Sequence, residues 1–230
     1  MPTPKEAFRT TEEGSGITNH TFFDTPILSH FLHRVAGLIL RVIRWRALGE
    51  TPTPDKYVLI AAPHTSNWDL PIMLTFGFYY GVKIYWMGKE SLFRGIYGPI
   101  MRYLGGIPID RSKPGGMVGQ TIAKFNESER LVIVVPPEGT RQKAPYWKSG
   151  FYHIANGAKV PIILGFLDYG RKEGSLEGLL MPTGDIEADM AVIREHYADI
   201  QARHPEKKSP VELSPQTRSD DVLPDTSSGG

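Results

Sequence analysis

Through its middle the chain alternates short, almost wholly apolar runs with stretches where apolar residues recur at helical spacing. The runs at 57–62, 83–87, 106–109, 131–135 and 160–167 predict strands. Segments 68–80, 96–104, 116–128, 147–156 and 187–203 predict helices. Alternation of this kind predicts an α/β domain over 51–203, with a largely parallel central sheet flanked by helices. Before it, Thr51-Pro52-Thr53-Pro54 sets off segment 27–50, which predicts one amphipathic helix. Its polar and basic positions His30, Arg34, Arg41 and Arg44 fall near one face, and Phe31, Leu32, Val35, Leu38, Ile39, Val42 and Ile43 cover the rest. Four arginines and no acid lie between Leu28 and Leu48. One-signed charge beside a wide apolar face is the pattern of a helix that docks on an anionic membrane surface. The competing reading is a helix packed on its own domain, with solvated arginines. Residues 1–26, rich in Thr, Gly, Pro and charge, predict a flexible N-terminus, and 204–230, which loses the apolar pattern, a disordered tail.

Composition removes several function classes. With 26 basic and 25 acidic residues among 230, the net charge of +1 lacks the basic excess of a nucleic-acid binder. The chain has no cysteine, which excludes disulfides and thiolate metal sites, and its seven histidines form no HExxH or other ligand spacing, so no metal is expected. No apolar run reaches the roughly 18 residues of a spanning helix. The N-terminus is polar and acidic, unlike a secretory signal, so the expected location is cytoplasmic.

The candidate chemistry lies in the loops that follow strands. Pro63-His64-Thr65-Ser66-Asn67-Trp68-Asp69 sits between the first core strand and its helix, where open α/β sheets bind ligands. An imidazole with one nitrogen held by a carboxylate is a tuned general base, and with no nucleophile of its own to activate it acts on a substrate hydroxyl. The same residues also read as a helix start, with Ser66 and Asp69 as a capping box and Pro71 in the first turn. Two further loops carry arginines: Gly106-Ile107-Pro108-Ile109-Asp110-Arg111, and Pro136-Pro137-Glu138-Gly139-Thr140-Arg141. If the strands are parallel, Arg111 and Arg141 emerge at the same sheet edge as His64, with side chains suited to bidentate phosphate recognition. Gly139 permits a tight turn, and Glu138 either orients Arg141 or accepts from a substrate hydroxyl. Taken singly, each block is also an ordinary polar turn.

Four blocks in order resemble the lysophospholipid/glycerolipid acyltransferase family, to which the 1-acylglycerol-3-phosphate acyltransferases belong. They are the His-x4-Asp of His64 and Asp69, the segment 106–111 ending in a basic residue, Glu138-Gly139-Thr140-Arg141, and the apolar Val160-Pro161-Ile162-Ile163. The resemblance spans residues 57–167. Pro63 stands where the family usually has Asn, Pro108 where an aromatic is common, and 165–172 resembles none of the family's blocks.

The resemblance implies an O-acyltransferase. An acyl group would pass from a thioester, acyl-CoA or acyl-ACP, to the hydroxyl of a lysophospholipid, foremost 1-acylglycerol-3-phosphate, giving phosphatidic acid. His64 would be the base and Asp69 its orienting partner. Arg111 and Arg141 would grip the acceptor phosphate, with Glu138, Gly139 and Thr140 shaping the pocket. Lys89 either adds charge there or is a solvated lysine; Trp86, Met87 and Phe93 line an acyl groove or are plain core. The thioester is a substrate, and no further cofactor is implied. The implied partners are the lysolipid, the acyl carrier and the membrane surface, with peripheral attachment to the cytoplasmic face. The same chemistry on a lyso-aminolipid, a thioester hydrolase in which His64 activates water, and a non-catalytic membrane adaptor are the competing readings.

Overall fold

The computed structural model describes residues 21–24, 26–109 and 116–215. In chain order the elements are α1 (Pro26–Val42), β1 (Arg46–Leu48), β2 (Lys56–Ala62), α2 (Asp69–Tyr80), β3 (Ile84–Lys89), α3 (Tyr97–Tyr103) and β4 (Gly106–Ile109). There follow α4 (Gly116–Glu127), β5 (Leu131–Val135), α5 (Gly150–Ala158), β6 (Ile162–Asp168), β7 (Glu173–Ser175), β8 (Leu179–Leu180) and α6 (Ile186–Tyr197). The strands form one sheet in the order β1-β7-β6-β2-β5-β3-β4, with β8 paired to β6. The five strands expected from the sequence, β2 to β6, are parallel neighbours. The three short strands have too few residues to carry a period; β7 and β8 run antiparallel to β6, and β1 runs parallel to β7.

Burial on both faces explains the unbroken apolar runs. Val58, Ile60, Ile133 and Ile162 face a core with Phe125, Phe151, Ile154 and Ile193 from α4, α5 and α6. The alternate residues Tyr57, Leu59, Val132, Val134 and Ile163 pack against Phe76 and Tyr80 of α2, with Leu40 and Trp45.

The expected helix over 27–50 is shorter than its pattern. It ends at Val42; Arg44 has φ 60°, and the chain turns into β1 at Arg46. The apolar pattern continues past the helix because Trp45 is buried against Phe76 and Tyr169. Arg46, one of the four arginines between Leu28 and Leu48, forms an ion pair with Glu173. Helix α1 packs Ala36 and Leu40 inward, while Phe31, Leu38 and Val42 stand 62%, 60% and 72% exposed.

The tail expected over 204–230 is also partly ordered. Within residues 204–215, Val211 and Leu213 are buried, Leu213 bridges Trp147, and the Lys208 ammonium donates to the carbonyls of Tyr197 and Ile200 at 3.1 and 2.8 Å. Two buried apolar residues are too few to produce a periodic signal. The expected flexible N-terminus through residue 20, and the tail from 216, lie outside the described residues.

Candidate active site

The loop between β2 and α2 is built around one carboxylate. Asp69 opens α2 and is 5% exposed. Its Oδ2 accepts from the amides of Thr65 and Ser66 at 2.9 and 2.8 Å and lies 3.1 Å from Nδ1 of His64. Its Oδ1 accepts from the Tyr169 hydroxyl at 2.7 Å. The Ser66 amide bond is half of a capping box; the other half is replaced, because Ser66 Oγ accepts from the Trp68 amide at 3.1 Å. Helix start and imidazole holder are therefore one group in two roles. Burial alone would push the Asp69 carboxyl up, but hydrogen bonds from His64, Tyr169 and the Ser66 amide outweigh it, and its pKa lies below the ordinary carboxylate value. An ionised carboxylate only accepts, so Nδ1 of His64 carries the proton and Nε2 is the basic nitrogen.

Because β2 lies between β5 and β6, the loops after those strands flank His64. From the β5 side, Glu138 is 3% exposed and its Oε1 accepts from the His64 amide at 3.0 Å. The expectation that Glu138 orients Arg141 is thereby corrected: the side chain turns inward and fixes the backbone of the base. Its Oε2 is buried with no hydrogen-bond partner among the described residues. Burial raises the pKa of Glu138 above the usual range, with the His64 amide opposing the shift. Gly139 has φ 64° and donates its amide to the Pro136 carbonyl at 3.1 Å, the tight turn expected of it. Thr140 Oγ accepts from the Gln142 amide at 3.2 Å, bending the loop.

A cavity of about 810 Å³ opens at this edge. His64 and Asn67 line it with Arg141 and Lys148, and its walls are mostly apolar, including Met73, Leu74, Trp86, Met87, Met101 and Leu176. Trp86 and Met87 are thus cavity wall, whereas Phe93 is buried beside Trp86 at 5.9 Å between ring centroids. Lys89 ends β3 exposed and is not part of the lining. Arg111 lies outside the described residues.

Four further residues contribute to the site without any motif that marks them. Lys148 lines the cavity and packs over Gly139, where an added Cβ would stand 2.9 Å from its Nζ. Tyr169 comes from the stretch after β6 that resembled no family block, although its place after a parallel strand was a usable signal. Arg203 and His204 also reach the site: the guanidinium of Arg203 lies 6.0 Å from the Trp68 ring, and the His204 amide donates to Thr65 Oγ at 3.2 Å. Nothing local in the sequence marks those two.

A mostly parallel sheet thus carries a His–Asp pair and a cationic, largely apolar cavity at its carboxyl edge. The fold is shared with the 1-acyl-sn-glycerophosphate (LPA) acyltransferase of Thermotoga maritima, with a TM-score of 0.51 over 77% of this chain and 81% of that one at 16% identity. Residues 43–163 match the Acyltransferase family, and the chain belongs to it. It is also 32% identical over 113 residues to a 1-acyl-sn-glycerol-3-phosphate acyltransferase of Streptococcus pneumoniae (strain ATCC BAA-255 / R6). That match covers 49% of this chain and 42% of the relative, so it spans less than half of that protein's length.

Proposed function

We propose that this chain transfers a fatty acyl group from a thioester, acyl-CoA or acyl-ACP, to the free hydroxyl of a lysophospholipid, and that the acceptor is 1-acylglycerol-3-phosphate, giving phosphatidic acid. The observation that carries the reading is the His64–Asp69 pair in the lining of a largely apolar cavity that also presents Arg141 and Lys148. Nε2 of His64 takes the proton of the acceptor hydroxyl as its oxygen attacks the thioester carbonyl. The carbon–sulfur bond then breaks, and the thiolate recovers the proton from the imidazolium. Asp69 holds the imidazole in the required tautomer and stabilises its charged form. A thiolate leaves readily, so no acyl-enzyme is needed. The relatives named as acyltransferases of 1-acylglycerol-3-phosphate support the acceptor class, and so do two cations beside an apolar wall. Glu138 and Gly139 shape the turn that carries Arg141.

Peripheral docking on the membrane, on its cytoplasmic face, belongs to the same reading. Among the described residues no helix is long and apolar enough to cross a membrane. On α1 the exposed Phe31, Leu38 and Val42 lie beside exposed Arg34 and Arg41, the composition of an interfacial helix. Phe31→Asp with Leu38→Asp is expected to weaken cosedimentation with vesicles containing an anionic phospholipid; undiminished binding would remove α1 from this role.

The deciding experiment measures acyl transfer from acyl-CoA and acyl-ACP to a panel of lysolipids, with wild type beside His64→Ala. Transfer to 1-acylglycerol-3-phosphate that is lost in the variant supports the proposal. Transfer to a lyso-aminolipid instead would reassign the acceptor, and release of free fatty acid without an acceptor would make the protein a thioesterase.

A further inference from the structure

The geometry points to Tyr169 as a positioning residue that sets the orientation and effective charge of Asp69, and through it the basicity of His64. The inference rests on the reading of His64 as the general base. The donors on Oδ2 of Asp69 all come from the same short loop, at Thr65, Ser66 and His64. Oδ1 is served from a point 100 residues away, by the Tyr169 hydroxyl at 2.7 Å. Without that bond a buried carboxylate oxygen would lose its donor and the carboxylate plane would be free to turn about its bond to Cβ. A buried acceptor left unpaired is costly, so the carboxylate would move to find another donor.

Tyr169 is itself held firmly. Its ring meets Trp45 edge-on at 5.0 Å, and its amide donates to the Gln201 carbonyl at 2.9 Å. Arg203 lies 5.6 Å from the ring centroid, on the ring rather than on the carboxylate. That placement matters for the chemistry. An arginine paired with Asp69 would take the negative charge that the imidazolium needs. A neutral phenol donates one hydrogen bond and leaves most of the charge available. Among the described residues the charged and titratable groups near the pair include Glu138 from the loop after β5, Arg141 and Lys148 in the same cavity, and Arg203 and His204 from the C-terminal segment; a Tyr169→Phe variant leaves their charges in place.

Tyr169→Phe keeps the ring and its packing and removes the hydroxyl, which is the donor to Asp69 and also an acceptor within reach of Arg203. The more concentrated charge on Asp69 then holds the imidazolium more tightly, so the titration midpoint of the His64 ring, followed by nitrogen and proton NMR on the full chain, moves to higher pH. The acidic limb of the kcat/KM profile moves the same way, since the base is free only above that midpoint. The loosened carboxylate lowers kcat by about 10- to 100-fold with little change in KM, the scale expected when a reacting group is slightly misplaced. In an Asp69→Asn background the Tyr169→Phe change adds much less than it does alone, because its main effect passes through the charge of that carboxylate. An unchanged His64 midpoint in Tyr169→Phe, or an effect that multiplies with that of Asp69→Asn, overturns the proposal. If the midpoint shifts while His64→Ala keeps its turnover, the general-base reading falls and the link from Tyr169 through Asp69 to His64 stands.

Discussion

Replacing Asp69 by asparagine separates its two roles. Three donors converge on Oδ2, so the single amide oxygen of asparagine is held on that side, and its NH2 turns toward the Tyr169 hydroxyl, which can accept in exchange. The loop keeps its shape and only the charge goes. The imidazolium formed at His64 as the hydroxyl loses its proton then has a neutral partner at 3.1 Å in place of an anion. A hydrogen bond to a charged group contributes about 1.5–3 kcal/mol. At about 1.4 kcal/mol per tenfold, kcat for acyl transfer falls roughly 10- to 150-fold. The stability cost is smaller, about 1 kcal/mol, because the bonds to Thr65 and Ser66 survive as neutral ones. Its pH dependence has a definite sign. The folded pKa of Asp69 is depressed, so its stabilising contribution is present above the ordinary value of about 3.9 and is lost as pH falls through the lower folded value. The stability gap between wild type and Asp69→Asn therefore closes on acidification below about pH 4. Steady-state acyl transfer at saturating donor and acceptor, with urea unfolding at neutral and acid pH, reads both effects. A variant that loses stability yet keeps kcat within about threefold, well short of the loss a charged hydrogen bond implies, would refute the orienting role and leave Asp69 as a helix cap alone.

Three other outcomes follow from the same geometry. Arg141→Ala and Lys148→Ala each raise KM for a phosphate-bearing acceptor about two- to fivefold, a modest effect because both are exposed, and leave a phosphate-free acceptor unaffected; equal losses on both acceptors would show that the cations do not read phosphate. Met73→Trp fills part of the cavity wall, so competition between thioesters should shift preference toward shorter acyl chains, and an unchanged chain-length profile would place the chain elsewhere. Leu213→Ala removes a residue 3% exposed in the main core and should cost about 2–4 kcal/mol in urea unfolding; a loss under about 0.5 kcal/mol, the range of surface substitutions, would mean the C-terminal segment does not hold that core.

The core elements were legible because their signals are local. Residues 106–109 and 131–135 are strands at the expected bounds, and the expected helix over 68–80 begins one residue later, at Asp69. The edges of the molecule were not. Trp45 and Leu213 extend the core beyond any repeating pattern, and β1, β7 and β8 exist through pairing with partners distant in sequence. At the site, His64 and Asp69 lie together as their spacing implied, and Arg141 reaches the same cavity. Glu138 turned toward the His64 backbone because it is buried, a property that a Pro-Glu-Gly turn does not reveal.

By itself the sequence determined which segments become strands and helices, and therefore which loops leave the carboxyl edge of a parallel sheet: periodicity and turn residues act within a few residues of one another. Only the tertiary structure decided that β2 lies between β5 and β6. That order brings Glu138 to the amide of His64 across 74 residues, Tyr169 to Asp69 across 100, and His204 to Thr65 across 139. Such contacts depend on how packed layers close the chain on itself, and a buried carboxylate takes its partners from whatever donors that closure places within about 3 Å.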